Sequence, residues 1–327
     1  MSRGPFALIA AAALAVLVAL QPAPAGEWEA PHLQDHPLAG RIWSVERARF
    51  LSREDLRQRL QGTAYVLLGE VHDNPDHHRL HGKVLEWLAR GEGEGPGVAF
   101  EIFDREQQPL IDRLRAEGVR DADHLARETE VAARHWPWPL YRPLVQWVLD
   151  RDLPLAAANL SAQRASRIAR EGQEAVLGGE QVRALGLDRP LPAAAGRRLV
   201  EDILEAHCGY LPADRVEGMV QAQRARDALM ARALQALSVR PAVLVAGNGH
   251  VRRDYGVPVH LSRADEDEGL SVGFLEVTQD RRRMADYGDG LQGRYDIVWF
   301  TPRARGNDPC EDFRQQLEGM ARENEGD

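Results

Sequence analysis

The sequence feature that most constrains the fold is a short apolar run that ends directly in chemically reactive side chains. Residues 64–68, Ala-Tyr-Val-Leu-Leu, are followed at once by Gly-Glu-Val-His at positions 69–72. An apolar run of this length is typical of one buried strand. In a parallel sheet the carboxyl ends of the strands face the crevice where ligands bind. Side chains two positions apart on an extended chain point the same way, so we expect Glu70 and His72 to point together into that crevice.

A second copy of this arrangement lies far downstream. Residues 242–246, Ala-Val-Leu-Val-Ala, run into Gly-Asn-Gly-His at positions 247–250. The pattern Gly-x-x-His thus occurs twice, each time after a hydrophobic strand. Because the carboxyl ends of parallel strands meet at one edge of a sheet, the two motifs can bring His72 and His250 to one point.

Strands and helices alternate along the chain. This alternation predicts an α/β fold, with a mainly parallel sheet flanked by helices and an inserted helical subdomain. The further strands are expected at residues 41–45, as a short edge strand, and at 98–103, 155–159, 271–277 and 295–300. We assign residues 26–302 to the α/β domain, residues 160–238 within it to the helical insertion, and residues 303–327 to a polar C-terminal tail with a helix near 313–320.

Composition describes a globular chain, and its N-terminus resembles an export signal. The 327 residues, 44% of them hydrophobic, can bury a sizeable core, and the net charge of −9 disfavours nucleic acid as a partner. Residues 1–25 are predicted to be a signal peptide, because an uncharged run at 6–20 precedes small residues that signal peptidases recognise. An uncleaved anchor is the alternative. The mature protein is then periplasmic or secreted, without a lipoprotein Cys near its start.

The two cysteines leave two interpretations open. Cys208 and Cys310 both lie in the predicted mature chain. In an oxidising compartment they can form a disulfide, and two unrelated buried thiols are the alternative.

The helix after the first motif is rich in histidine. It begins at an Asn-Pro pair, positions 74–75, which is typical of an N-cap followed by the first helical residue. Near its start it carries His77, His78, Arg79 and His81. Of the three histidines, only His77 and His81 are predicted to share a face, as metal ligands or as part of a solvated first turn. Arg79 is expected to orient Glu70 through a charge-assisted pair.

Four polar groups form the candidate catalytic or metal site. Glu101 interrupts the apolar strand at 98–103, and a buried carboxylate requires a partner or a metal, unless the strand lies at an edge and Glu101 faces water. Together with Glu70, His72 and His250, it could hold a divalent cation that keeps a water in an open position for hydrolysis. A buried hydrogen-bonded network without metal is the alternative.

Two further segments are candidates for ligand contacts. Residues 135–141, His-Trp-Pro-Trp-Pro-Leu-Tyr, are predicted to lie outside regular helix and to close a core or line a crevice. In the helical insertion, His-Cys-Gly-Tyr at positions 207–210 begins a loop between two helices. Its His207 and Tyr210 are residue types that serve as axial ligands of haem iron.

Several of these segments together resemble the ChaN family. They are Leu-Gly-Glu-Val-His-Asp-Asn-Pro at 68–75, Phe-Glu-Ile-Phe at 100–103, the strand ending at Asn159, His-Cys-Gly-Tyr at 207–210, Gln-Arg-Ala-Arg-Asp at 223–227 and Val-Ala-Gly-Asn-Gly-His at 245–250. The family consists of haem-binding, iron-regulated proteins within the Tiki, TraB and erythromycin-esterase-like superfamily. The resemblance spans residues 43–302, and it is specific because the motifs match in order.

The resemblance implies two directions of function. ChaN-type relatives bind haem through an axial Tyr in a dimer that sandwiches stacked haems, which makes Tyr210 and His207 the candidate haem ligands. Tiki-like relatives are metal-dependent proteases with two Gly-x-x-His motifs and a Glu, and erythromycin-esterase-like relatives are hydrolases in which a strand-end Glu and His activate water. On that pattern, the histidines of the two motifs are ligands or bases, with Glu70 and Glu101 as carboxylate partners.

The sequence therefore predicts an exported haem- or iron-binding protein of ChaN type in iron uptake or haem handling. Its expected partners are haem, a second copy of the chain in a homodimer and an outer-membrane iron-uptake protein, with no nucleic acid. A metal-dependent hydrolase, a protease or esterase using a divalent metal ion, is the alternative from another class. An inactive structural descendant of such a hydrolase is the third.

Overall fold

A computed structural model describes residues 28–91, 94–134, 136–261 and 269–308, together with residues 265, 310, 311 and 314. The predicted signal peptide, His135 of the aromatic cluster and the predicted tail helix at 313–320, except Arg314, lie outside the described residues.

One mixed sheet of eight strands forms the centre of the described chain. The strands are β1 (Ile42–Ser44), β2 (Arg49–Leu51), β3 (Tyr65–Glu70), β4 (Gly97–Asp104), β5 (Leu155–Asn159), β6 (Ala242–Gly247), β7 (Gly269–Glu276) and β8 (Ile297–Thr301). Their order is β2-β1-β8-β7-β3-β6-β4-β5, and the pairs from β8 to β5 are parallel. The predicted fold class is confirmed. β1 pairs antiparallel with both β2 and β8, so β2 forms that edge and the prediction of an edge strand at 41–45 is wrong.

Helices cover both faces of this sheet. They are α1 (Arg53–Leu60), α2 (Pro75–Ala89), α3 (Gln108–Ala116), α4 (Ala122–Glu128), α5 (Trp138–Asp150), α6 (Ala162–Glu171), α7 (Gln173–Leu177), α8 (Gly179–Ala184), α9 (Ala193–Ala206) and α10 (Ala213–Ala236), with short 3₁₀ turns at Arg105–Gln107, Val131–Ala133, Val257–His260 and Met284–Tyr287. Helices α1 to α5 pack on one face of the sheet, and α10 packs on the other. No helix in the described ranges is long and apolar enough to span a bilayer.

The central strands are apolar on both sides, as strands of a covered parallel sheet must be. In β3, Val66 and Leu68 pack into one core, while Tyr65 and Leu67 pack into the other. The buried Glu70, Glu101 and Asn159 lie toward the carboxyl ends of their strands. There β3 ends at Glu70, which pairs in register with Gly247 at the end of β6.

The start of α2 is fixed by its cap. The side-chain oxygen of Asn74 accepts a hydrogen bond from the backbone N–H of Asp76 at 3.0 Å, and Pro75 occupies the first helical position, where no N–H is needed. Because the cap sets where the helix begins, it also sets which histidines of α2 face the end of β3.

The prediction for the aromatic cluster is wrong in part, because α5 begins within the cluster. Residues 138–141 are helical, although the cluster was expected to lie outside regular helix. Pro139 lies in the first turn, where the backbone N–H has no intrahelical partner in any case. Pro143 lies deeper in the helix, where it removes one hydrogen bond. Six buried side chains of α5 compensate by packing on the sheet core.

The chain between β5 and β6 forms the five helices α6 to α10. The turn between α9 and α10 places Cys208 and Gly209 in the left-handed region, with φ of 53° and 74°. Cys208 is disulfide-bonded to Cys310, which decides between the two interpretations of the cysteines and joins this turn to the C-terminal segment.

Candidate functional site

Glu70 is the centre of the polar cluster at the sheet edge. Its buried carboxylate accepts hydrogen bonds on Oε1 from the Tyr141 hydroxyl and from Nδ1 of His72, which lies 3.0 Å away. Its Oε2 faces Nδ1 of His81 at 3.4 Å and Nδ1 of His78 at 3.7 Å. Burial raises the pKa of Glu70, but His78, His72 and His81 outweigh burial and lower the pKa to about 2. The carboxylate is therefore an anion at neutral pH.

His72 stands at the rim of the cluster, with 41% of its side chain exposed. Since Glu70 accepts the Nδ1 proton, the other ring nitrogen, Nε2, carries the lone pair of the neutral ring. The Cε1–Nε2 side of the ring lies against Gly247, where an added Cβ would be 3.1 Å from Cε1 and 3.3 Å from Nε2. Burial lowers the pKa of His72, but Glu70 and Glu101 outweigh burial and raise it.

A second cluster lies beside the first. Glu101 accepts a hydrogen bond from the Gly247 N–H at 2.7 Å and lies 3.2 Å from Nε2 of His250. On the other side of the ring, Nδ1 of His250 lies 2.5 Å from Oδ1 of Asp227 on α10, with Gln223 at 3.1 Å. Burial lowers the pKa of His250, but the two carboxylates outweigh burial and raise it to about 10. His250 is thus an imidazolium bridging two carboxylates at neutral pH.

The structure brings all four predicted groups together. Glu70 ends β3 and His72 follows it. His250 follows β6, Glu101 lies in β4, and these three strands are adjacent. Because β4 lies between β6 and β5, Glu101 is buried and the edge-strand interpretation is wrong.

Two members of the site were not predicted. Asp227 lies in the motif at 223–227 and is buried in the structure, although the helical pattern places it off the apolar face of α10. Tyr141 belonged to the aromatic cluster, but nothing in its local sequence indicates that its hydroxyl reaches Glu70. Burial and Glu70 raise the pKa of Tyr141 well above its usual range, so the hydroxyl remains a hydrogen-bond donor.

The histidines of α2 differ from their prediction. His78 and His81 share the face toward Glu70, because positions three apart are neighbours on a helix just as positions four apart are. His77 does not join them, since its Nδ1 accepts the Val71 N–H at 2.8 Å and its Nε2 lies 2.7 Å from the Thr301 hydroxyl. The pairing of His77 with His81 as the candidate ligands is therefore wrong.

Arg79 does not orient the strand-end carboxylate. Its guanidinium binds Asp76 one helical turn earlier, at 3.0 Å, and covers the ring of Trp28. The prediction that Arg79 pairs with Glu70 is wrong, because the side chain points away from the sheet edge toward the N-terminal segment.

The predicted haem ligands lie in a different part of the molecule. Tyr210 is 50% exposed and is the one large apolar side chain at the surface of the described chain. His207 is the C-cap residue of α9, and its Nδ1 donates to the Ile203 carbonyl at 2.7 Å. Asp227 lies 14 residues into α10 from Ala213, so this loop and the sheet edge are on the order of 20 Å apart at 1.5 Å per residue.

The sequence matches the family described as haem-binding uptake, Tiki superfamily, ChaN, over residues 56–261. This match covers more than half of the chain, and the chain belongs to that family. No significant match was found among curated protein sequences.

One of the solved structures that are similar to this chain has a TM-score above 0.5 and shows the same fold. The chain is similar to ChaN of Campylobacter jejuni with cofacially bound haem, at 20% identity and a TM-score of 0.59, over 79% of this chain and 95% of the other. It is also similar to an erythromycin esterase in its open conformation, at 12% identity and a TM-score of 0.45, over 79% of this chain and 95% of the other. A succinoglycan biosynthesis protein is similar at 10% identity and a TM-score of 0.45, over 76% of this chain and 90% of the other.

Proposed function

We propose that this member of the haem-binding uptake family is an exported protein that binds haem at the turn between α9 and α10 and handles it in iron uptake. The observation that carries the assignment of the site is the half-exposed phenol of Tyr210, which lies inside the matched range on the turn that is disulfide-bonded through Cys208. Haem is then bound at the surface of the helical subdomain, away from the sheet edge.

The residues of this turn fit a haem group. A Tyr phenolate and a His imidazole are both axial ligands of haem iron. Since Nδ1 of His207 is held by a backbone carbonyl, its Nε2 keeps the lone pair that an iron ligand needs. Partly buried Leu211, Met219 and Val220 supply apolar surface in the same part of the subdomain. When bound, haem supplies an iron centre whose spectrum reports the axial ligand.

Two further features support the wider proposal. The Cys208–Cys310 disulfide is typical of proteins exported to an oxidising compartment, in agreement with the predicted signal peptide. The similar ChaN of Campylobacter jejuni binds haem cofacially, and we extend this arrangement to a homodimer of the present chain that passes haem to or from an outer-membrane partner. Mass spectrometry of periplasmic protein should find an N-terminus near Gly26, and an intact Met1 in the cytosol would contradict export.

A haemin titration tests the haem site. The parent should bind haemin with a Soret shift, and Tyr210→Phe should alter the Soret and charge-transfer bands because the phenolate ligand is lost. The matched controls are Tyr287→Phe, in a different part of the structure, and His124→Ala, on the surface of α4. If Tyr210→Phe combined with His207→Ala keeps the parent spectrum and affinity, the axial ligand lies elsewhere.

A hydrolase is the second candidate, and the pairing of Glu70 with His72 favours it. A carboxylate that holds Nδ1–H of a partly exposed imidazole leaves Nε2 as a general base, as in hydrolytic triads. A metal shared by Glu70, His72, Glu101 and His250 fits less well, because both nitrogens of His250 already contact carboxylates. Ester and peptide hydrolysis by the parent, lost in His72→Ala, would support the hydrolase, and no turnover in the parent would reject it.

A further inference from the structure

We propose that Glu70, His78 and His81 bind one first-row transition-metal dication of the zinc class. The site lies at the junction of β3 and α2, behind His72, and does not include His250 or the turn that carries Tyr210. It goes beyond haem binding and does not depend on it.

Backbone carbonyls fix the tautomers of both histidines. Nε2 of His81 lies 3.0 Å from the Gly69 carbonyl oxygen, and Nε2 of His78 lies 2.8 Å from the His72 carbonyl oxygen. A carbonyl oxygen only accepts, so each Nε2 carries a hydrogen. In the neutral rings, the lone pairs are therefore on the two Nδ1 atoms.

These lone pairs converge on a carboxylate oxygen. Nδ1 of His81 and Nδ1 of His78 lie 3.4 and 3.7 Å from Oε2 of Glu70, and ligand atoms of the three residues lie within 4.8 Å of one another. All three side chains are at most 4% exposed. None of the three atoms has a hydrogen-bond partner within the described part of the chain. Three buried electron pairs that face one another repel unless a cation lies between them.

The donors and their spacing suit a zinc-class ion. Two imidazoles and one Glu are a known ligand set for Zn²⁺, whose bonds of ~2.0–2.1 Å place tetrahedral ligands about 3.3 Å apart. The distances of 3.4 and 3.7 Å from Oε2 of Glu70 are close to this spacing. Metal-bound histidines characteristically donate their second N–H to a carbonyl, as His78 and His81 do. Oε1 of Glu70 already accepts hydrogen bonds from the Tyr141 hydroxyl and from Nδ1 of His72, so Oε2 is the oxygen that can bind the ion.

A shared proton explains the geometry less well. A charge-assisted N–H···O bond between imidazolium and carboxylate is ~2.7–2.9 Å long, whereas the His81 and His78 contacts with Oε2 of Glu70 are 3.4 and 3.7 Å. A proton would also satisfy only one histidine and leave the other lone pair without a partner. An ion in the middle satisfies all three atoms, and it would tie α2 to the end of β3.

Metal uptake by the haem-free full chain tests the site. The protein is stripped with a chelator, loaded with Zn²⁺ or Co²⁺, dialysed and assayed for metal content. We expect one ion per chain, visible Co²⁺ bands of a low-symmetry site, and a rise in Tm with Zn²⁺ because the ion binds only the folded state. His81→Gln and His78→Gln should each weaken Zn²⁺ binding by about 100-fold or more. His124→Gln, on the surface, is the matched control.

The outcomes separate the alternatives. His250→Gln should keep the metal, because His250 contacts Glu101 and Asp227 and none of the three proposed ligands. If His250→Gln loses the ion as fully as His81→Gln does, the ion belongs to the sheet-edge groups and the proposal is wrong. A folded parent that shows no bound Zn²⁺, no Co²⁺ bands and no Tm shift would also overturn the proposal. A shared proton would then lie between Glu70 and one of the two histidines. If a variant fails to fold, the Co²⁺ spectrum of the parent still shows whether the folded chain binds an ion. Haemin binding by the parent, measured separately, reports only on the other site.

Discussion

His250 and Asp227 lie 23 positions apart in the sequence, yet Nδ1 of the histidine is 2.5 Å from Oδ1 of the aspartate. The contact joins the turn after β6 to the middle of α10. Since α10 begins beside the turn that carries Tyr210, this pair connects the helical subdomain to the polar edge of the sheet.

The first prediction concerns this pair. Asp227→Asn should destabilise the protein by about 3–5 kcal/mol, because it leaves the buried His250 charge with one carboxylate in place of two. Urea unfolding of the variant and the parent measures the difference. Asp214→Asn is the matched control, since its exposed side chain lies in the first turn of the same helix, and it should change stability by less than about 0.5 kcal/mol. Equal effects of the two changes would show that the His250 contact contributes nothing specific.

The second prediction is a pH dependence of stability. The folded-state pKa of His250 is raised from 6.5 to about 10 by Glu101 and Asp227, against the effect of burial. Folding therefore favours the protonated ring, so its contribution is fully present below pH ~6.5 and is lost as pH rises toward ~10. Glu101, held ionised by His250, stays charged across this range. Unfolding free energies from pH 6 to 10 should fall by a few kcal/mol more in the parent than in His250→Gln. Parallel curves would contradict the imidazolium assignment.

Much of the fold could be predicted from the sequence, because the strands of a covered parallel sheet are short continuous apolar runs that need no long-range information. The runs before Glu70 and His250 are of this kind, and the rule that ligands bind at carboxyl ends placed both motifs at one edge. The first turn of helix α5, at residues 138–141, was missed because proline was given too much weight: Pro139 lies where no backbone N–H is needed, and the apolar face of the helix packs on the core.

Partners from distant elements could not be predicted. Nothing near Asp227 or Tyr141 in the sequence indicates which strand end each will face, because that depends on how α10 and α5 pack. For α2 the information was local, since the spacing of His78 and His81 already places them on one face. What the sequence lacked was the direction of that face, which depends on how α2 returns across the end of β3.

The third prediction concerns the disulfide. Replacing Cys208 and Cys310 together by Ser should lower stability by about 2–5 kcal/mol, because the bridge closes a segment of 102 positions in the unfolded chain. Thermal unfolding with and without reductant measures this loss of stability. The reductant should lower the Tm of the parent and leave the Tm of the double variant unchanged. A parent that is insensitive to reductant, with no cross-linked peptide in a non-reducing digest, would contradict the bond.

The last prediction concerns the glycine before Glu70. A Cβ on Gly69 would lie 2.6 Å from Cγ2 of Val251 and closer still to the side-chain oxygen of Asn248. That side chain cannot move aside without breaking its bonds to both backbone groups of Phe274, at 2.6 and 3.2 Å. Gly69→Ala should therefore destabilise the protein by about 1–3 kcal/mol or more through overpacking.

The matched control for this change is Gly196→Ala. Gly196 lies within α9 and has open space where a Cβ would be. Alanine there should stabilise the protein by about 0.5–1 kcal/mol, since it favours the helix and restricts the unfolded chain. Denaturant unfolding of both variants measures the two changes in stability, which should have opposite signs. If Gly69→Ala were as stable as the parent, Asn248 would not be fixed against the end of β3, and the two Gly-x-x-His turns would not be held together by packing at that glycine.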